Sequence, residues 1–389
     1  MFARRIALRS FLTFALLAIL LPISLASGTL FYRSAVGAME GFALQLADEV
    51  SQRVREKLLS FFDVPQRAVA FNVVQARAGL LLVDHPDQLM KQFMLQIDQQ
   101  PQLTFISLGT REGEYYAGSR PPLGSDRALR MMRATISGDR AMEVFRVDEL
   151  TRQPTLISRS EINFDARNRP WYTNALDYDG TSWYAPYRYK IEDVQGAYRA
   201  IGMGASAPLR ARNGDLIGIV TADVSLSQLN DFLNTVASES GGKAFLAEAS
   251  GELLAMSSAD ASMGLTGAAG ERRPRMDESG DPVVRALGQH ILRTGQAEGH
   301  EFMEVGGERH LMRWWTHVLH KGPTLTMAIM LPESRFDAPL RGVLRNTIYT
   351  TLAVMLAGAS AAAGSKNRLV SPGWPCSSST SGSNAGRNK

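Results

Sequence analysis

The chain is organised around the stretch Phe164-Asp165-Ala166-Arg167-Asn168-Arg169-Pro170-Trp171-Tyr172. Two segments follow it, Trp183-Tyr184-Ala185-Pro186-Tyr187 and Gly218-Ile219-Val220-Thr221-Ala222-Asp223. One predicted helix start thus gathers a guanidinium, an indole N–H and a phenol, while two predicted strands add a second phenol and a carboxylate. Arginine grips a carboxylate through two charge-assisted hydrogen bonds, and a buried aspartate neutralises an ammonium group. The combination suits a zwitterionic ligand.

By spacing and residue type these segments resemble the membrane-distal module of double Cache (dCache) sensor domains. Those domains are the extracytoplasmic ligand-binding parts of bacterial transmembrane receptors, and the resemblance covers residues 34–335. In the amino-acid-binding subset, it implies that Arg169 and Trp171 hold the ligand carboxylate. It also implies that Tyr172 and Asp223 hold the ligand ammonium group, and that Tyr187 is a further pocket residue.

Phe164 departs from the family pattern, because it stands where the family has a tyrosine that also binds the carboxylate. One hydrogen bond to the ligand is therefore lost, and another small carboxylate or an amine becomes an alternative ligand. Purely structural roles are also open at this point. Arg169 could form an ion pair with Asp165, Trp171 could simply fill a core, and Asp223 could cap the helix predicted after it.

Composition limits the functional classes. The chain of 389 residues is long enough for more than one domain. Its formal net charge of +4, from 42 basic and 38 acidic residues, gives no basic face of the kind that binds nucleic acid. Cys376 is the single cysteine, so an intrachain disulfide is excluded.

Two segments are predicted to cross a membrane as helices, residues 10–32 and residues 346–365. Three arginines precede the first, which favours an uncleaved anchor with residues 1–9 in the cytoplasm and the bulk of the chain in the periplasm. The second is rich in small residues, which suits close helix packing in a membrane. A surface helix is the alternative for this second segment, and arginines on its external side weaken the charge argument.

The hydrophobic pattern predicts an α+β fold. A long amphipathic helix begins near residue 34 and continues past Pro65, and two sets of short strands and helices follow. A short helix is expected over residues 126–137. The resemblance implies two PAS-like modules, a membrane-distal one with the stalk helix over residues 33–230 and a membrane-proximal one over residues 231–337. Residues 366–389 are predicted to be a disordered cytoplasmic tail.

Neither a metal site nor a catalytic site is predicted. His300, His310, His317 and His320 are close in sequence, but no cysteine or acidic companion completes a ligand set. No nucleophile elbow or phosphate-binding glycine loop is found, and the pair Gly202 and Gly204 lies inside a predicted strand. We therefore expect a non-enzymatic protein without a cofactor, although a longer parent could carry a kinase or nucleotide cyclase domain.

The sequence as a whole predicts a receptor of the bacterial inner membrane that senses a small periplasmic ligand, forms a homodimer and does not bind nucleic acid. Receptors of this family normally continue into a signalling domain after the second span, and the tail resembles none, so a truncated or altered receptor is expected. The alternative is a membrane-anchored binding or scaffold protein that partners another receptor without signalling itself. An extracytoplasmic hydrolase ranks third.

Overall fold

The computed structural model describes residues 2–123, 126–160, 163–189, 191, 198, 200–257, 273–335 and scattered positions from 342 to 356. The predicted second span therefore lies largely outside the described residues, as do the tail and most of the Gly-rich stretch after Met256. The chain divides into two compact units, Met1–Met39 with Asp337–Lys389, and Glu40–Phe336. Among the described residues no helix is long and apolar enough to cross a membrane, so neither predicted span is confirmed.

Two helices open the chain. Helix α1 runs over Phe2–Ala78 and passes Pro65 without a break, as predicted. Helix α2, Pro86–Gln99, has the predicted bounds and begins with a proline, whose missing N–H is not needed in the first turn. Asn72 of α1 and Gln96 of α2 exchange side-chain amide hydrogen bonds of 2.8 and 3.0 Å, which fixes the two helices against each other.

The first of the two modules, which the resemblance predicts to be membrane-distal and which is called the distal module, is built on an eight-stranded antiparallel sheet. The strands lie in the order β5-β4-β3-β2-β1-β8-β7-β6. The chain therefore builds one half of the sheet as a meander, leaves it for helix α3, and returns to pair β8 against β1. Helix α3 covers Pro170–Leu176. The strands are β1 Phe105–Thr110, β2 Tyr115–Ser119, β3 Arg130–Ala134, β4 Met142–Val147, β5 Pro154–Ser160, β6 Ser182–Arg188, β7 Ile201–Arg210 and β8 Leu216–Ser225.

The prediction of a helix over residues 126–137 is wrong. Strand β3 occupies Arg130–Ala134 and pairs with β2 on one side and β4 on the other. Four of its five residues are buried, and its sequence Arg130-Met131-Met132-Arg133-Ala134 lacks the alternation of apolar and polar residues that would have indicated a strand. Arg130 is buried with its guanidinium 2.6 Å from the Asp126 carboxylate, which compensates its charge inside the module.

The proximal module has a five-stranded antiparallel sheet in the order β10-β9-β13-β12-β11. Its core is formed where helix α5, Pro282–Thr294, packs Leu287 and Ile291 with Trp314 of the sheet. Asp281 caps this helix through the N–H groups of Val283 and Val284, as predicted. The strands are β9 Lys243–Glu248, β10 Leu253–Met256, β11 Glu298–Val305, β12 Glu308–Val318 and β13 Thr324–Pro332. The α+β class with a long N-terminal helix and two sheets is thus confirmed.

Helix α4, Leu226–Ser240, joins the two modules and begins at Ser225. The Ser225 hydroxyl accepts from the Gln228 N–H, and the Gln228 side chain accepts from the Ser225 N–H, which is a complete capping box. The cap therefore falls on Ser225, and the alternative role of Asp223 as the cap of this helix is wrong.

Replacing Ser225 by alanine should lower the free energy of unfolding by about 1 kcal/mol, because the Gln228 N–H of the first turn loses its side-chain acceptor. Chemical denaturation of the purified protein measures this. Ser238→Ala is the matched control, since Ser238 is exposed near the other end of the same helix. An equal effect of both substitutions would show that the cap contributes nothing particular.

Candidate functional site

Five of the six residues singled out in the sequence line one cavity in the distal module. Phe164, Arg169 and Trp171 come from the segment around the start of α3, Tyr187 from β6 and Asp223 from β8. Tyr172 is the exception. The remaining lining residues are Phe105, Ser107, Tyr115, Tyr189 and Ile191.

Arg169 lies at the residue that precedes α3 and is half-buried. Its guanidinium carbon lies 5.6 Å from the centre of the Phe164 ring and 5.5 Å from that of Tyr187, within range of cation–π attraction to both. Asp165 pairs instead with Arg167, at 2.7 Å, and with Arg140. The alternative of an Arg169–Asp165 ion pair is therefore wrong, and within the described residues no carboxylate lies within 4 Å of the Arg169 guanidinium.

Asp223 lies in the middle of the sheet, opposite Phe105 of β1 and Gly204 of β7. It is only 2% exposed, its carboxyl group accepts a hydrogen bond from the Thr221 hydroxyl at 3.0 Å, and the phenols of Tyr184 and Tyr187 lie close to it. Burial raises the pKa of Asp223 to about 7, and the Thr221 hydroxyl and the two phenols only partly oppose the rise. A cationic group entering the cavity would restore the charged carboxylate.

Trp171 and Tyr172 are adjacent in sequence, but only Trp171 lines the cavity. The Trp171 indole lines the cavity beside the Tyr187 phenol, which in turn lies close to Asp223. The Tyr172 hydroxyl donates to the Thr110 carbonyl at 3.3 Å, and its ring is buried in the core. The structure therefore does not place Tyr172 with the other predicted ligand-binding residues.

Reasoning from the sequence missed half of the lining. Ser107 and Tyr115 lie side by side in the lining and come from the first hairpin, β1 and β2. Their strands were predicted, but only the pairing of β1 with β8 shows that they lie beside Asp223. Phe105 and Tyr189 form an aromatic pair with centroids 4.8 Å apart. An aromatic residue two positions after Tyr187 was the one available signal for Tyr189.

The two glycines of β7 make room for tyrosines at this site. A methyl group built on Gly202 would lie 1.8 Å from the Tyr189 hydroxyl oxygen. One built on Gly204 would lie 2.5 Å from the Tyr184 hydroxyl and 2.1 Å from the Ala222 carbonyl oxygen. The pair seen in the sequence therefore allows two phenols to cross β7.

The cavity is nearly closed. The space open to the centre of a water molecule is about 10 Å³, which is about one water. An amino acid does not fit in this volume, so the aromatic side chains that surround Arg169 have to move apart when a ligand enters.

The part of the chain that forms the site is similar to a known sensor domain. Residues 136–231, which contain all of the predicted site, match the model of the methyl-accepting chemotaxis protein-like first PDC sensor domain. The resemblance to double Cache sensors seen in the sequence is thereby confirmed.

One relative of the chain is methyl-accepting chemotaxis protein McpA of Pseudomonas putida, which is 36% identical over 107 residues. The match covers 27% of this chain and 15% of McpA, so the chain shares only a small part of the length of that relative.

Similar solved structures are chemoreceptor domains. Methyl-accepting chemotaxis protein X has a TM-score of 0.48 and 16% identity, over 75% of this chain and 98% of that one. The Campylobacter jejuni Tlp3 ligand-binding domain in complex with 4-methylisoleucine has a TM-score of 0.47 and 12% identity, over 78% of this chain and 94% of that one. The Pseudomonas aeruginosa PctC domain in complex with GABA has a TM-score of 0.44 and 16% identity, over 73% of this chain and 96% of that one.

Proposed function

We propose that the chain is the sensing part of a bacterial transmembrane chemoreceptor and that its distal cavity binds a small amino acid or a related carboxylate. The single observation that carries the proposal is that Arg169 and Asp223 line the same cavity without pairing with each other. In the described part of the chain the Arg169 guanidinium has no carboxylate partner and the buried Asp223 carboxyl has no cationic one, so the two groups are complementary to the two charges of a zwitterion.

The other lining residues support the same ligand class. Tyr187 and Trp171 supply polar tips beside both charged groups, while Phe105, Tyr189 and Ile191 form an apolar wall against which an aliphatic side chain can pack. Phe164 offers only its ring to Arg169, so the guanidinium and the indole are left to hold the ligand carboxylate.

The placement of the receptor belongs to the proposal as well. Two membrane spans at residues 10–32 and 346–365, a periplasmic sensor region, a homodimer and signalling through a domain on a longer chain remain predictions from the sequence. Ligand binding in the cavity would favour one conformation of the sensor region over another, and only that difference in affinity can drive a signal.

A thermal-shift screen of the purified chain against amino acids, small carboxylates and amines tests the ligand-binding claim. A ligand at a hundred times its Kd stabilises the folded state by about 2.7 kcal/mol, which is readily seen as a rise in Tm. In Arg169→Gln the same compound should bind at least about tenfold more weakly, because a charge-assisted hydrogen bond is lost.

Arg111→Gln is the matched control for this experiment. Arg111 is an exposed arginine of the same module that pairs with Glu112, so its loss should leave ligand binding unchanged. If a folded protein responds to no compound, or if Arg169→Gln responds like the wild type, the cavity is not the ligand site. The scaffold alternative would then be favoured.

A further inference from the structure

Strand β6 presents different residues to its two sides. Tyr184 and Tyr187 both direct their phenols toward Asp223 at the cavity. They can do so because the register between β6 and β7 shifts between them, so that Ala185 and Pro186 form a bulge. Trp183 precedes Tyr184 and therefore points to the opposite side of the sheet.

Trp183 is packed where the stalk helix meets the proximal module. It is 1% exposed and makes an edge-to-face contact with Phe62 of α1, with ring centroids 5.5 Å apart. A methyl group built on Gly322 would lie 2.3 Å from the Trp183 Cβ atom, so the backbone of residue 322 rests directly on this side chain. Gly322 belongs to the turn between β12 and β13 of the proximal sheet.

The indole N–H of Trp183 is buried and has no hydrogen-bond partner within the described part of the chain. Buried donors are nearly always paired, so an unpaired one calls for an explanation beyond stability. A tryptophan that is held by contact alone can shift in its pocket without breaking a hydrogen bond.

The same turn makes a second contact with the distal module. The Lys321 ammonium group donates to the Asp179 carbonyl at 3.1 Å and lies 5.6 Å from the centre of the Tyr178 ring. Tyr178 and Asp179 lie in the segment between α3, which follows Arg169, and β6. Residues 319–322 therefore contact the chain that connects the two cavity-bearing elements.

We propose that residues 319–322 move together with β6. Movement of Tyr184 and Tyr187 at the cavity then displaces Trp183, and Trp183 displaces the proximal sheet through its contact with Gly322. This inference rests on the proposed function of the cavity. Because Trp183 and Tyr184 share one stretch of backbone, β6 cannot move on the cavity side alone. The close contact at Gly322 leaves no gap to absorb the movement, so the turn follows it.

Hydrogen–deuterium exchange measures this coupling without any ligand. Tyr187→Phe removes the phenol oxygen that faces Asp223, and it should increase amide exchange in residues 319–322 at least about twofold. Tyr116→Phe is the matched control, since it also removes one tyrosine hydroxyl, which donates to Glu114, and should leave that turn unchanged. Equal exchange of the turn in Tyr187→Phe and the wild type would overturn the proposal.

A double-variant cycle gives an independent test. The Tm losses of Tyr187→Phe and Gly322→Ala should not add in the double variant, whereas those of Tyr187→Phe and Gly280→Ala should. Gly280 is an exposed proximal glycine with open space around it. If Gly322→Ala does not fold, Trp183→Phe replaces it. Additive losses would contradict the coupling, yet they would leave ligand binding at Arg169 untouched, so the two proposals fail separately.

Discussion

Replacing Asp223 by asparagine should stabilise the ligand-free protein at about pH 8 and flatten the dependence of its stability on pH. The carboxyl group is buried among Thr221, Tyr184 and Tyr187, and it has no cationic partner within ion-pair distance in the described part of the chain. Asparagine keeps the shape and hydrogen-bonding capacity of the side chain but never has to carry a buried charge.

The direction of the pH effect follows from the two pKa values of this group. Its pKa is about 7 in the folded protein against an ordinary value of 3.8, so between these values the folded state binds more protons than the unfolded state. The contribution of Asp223 to the free energy of unfolding is therefore fully present below about pH 4 and is lost as the pH rises to about 7. The full loss is on the order of 4 kcal/mol, or on the order of 10 °C in Tm.

Thermal melts of the wild type and Asp223→Asn over this pH range measure how the Tm of each protein depends on pH. Other groups titrate in both proteins, so the comparison isolates Asp223. Asp231→Asn, at an exposed aspartate of α4, is the control and should follow the wild type. A wild type and an Asp223→Asn variant with parallel pH profiles would show that the Asp223 carboxyl is not held neutral by burial.

Gly202→Ala should lower the free energy of unfolding by about 1 to 3 kcal/mol and abolish ligand binding. The added methyl group would lie 1.8 Å from the Tyr189 hydroxyl and 2.2 Å from the ring carbon that bears it. Tyr189 is fully buried against Phe105 and Tyr187 and cannot easily turn away. The ring would be forced into a cavity that already has almost no free space.

Denaturation and binding assays on three variants separate this clash from other causes. Tyr189→Leu shortens the side chain that meets the methyl group, so the double variant Gly202→Ala, Tyr189→Leu should lose less stability than the sum of the single variants. Additive losses would mean that Gly202 matters for its strand alone and not for the placement of Tyr189.

The local features of the fold followed from the sequence. The caps at Asp281 and the proline at the start of α2 act within a few residues, so local pattern predicts them. Strand β3 was not predicted, because its pairing with β2 and β4 decides its conformation and its own sequence has no strand pattern. Sheet pairing is a property of distant segments, which the pattern of one segment does not contain.

The residues of the candidate site also divide into those that the sequence predicted and those that only the strand pairing reveals. Arg169, Trp171, Tyr187 and Asp223 were found through their residue types and a family resemblance, and the structure brings them together. Ser107 and Tyr115 were not found, since they reach the cavity only because β1 pairs with β8. Tyr172 was included by resemblance, but its hydroxyl is turned to the Thr110 carbonyl in this structure.

The most direct test of the account is calorimetric titration of the chain at about pH 8 with the amino acid found in the screen and with its desamino analogue. The account predicts that the wild type prefers the amino acid at least about tenfold, because Asp223 pairs with its ammonium group. In Asp223→Asn that preference should disappear, while Arg169→Gln should weaken both ligands. A preference that survives in Asp223→Asn would contradict the assignment of Arg169 and Asp223 as the two poles of a zwitterion site.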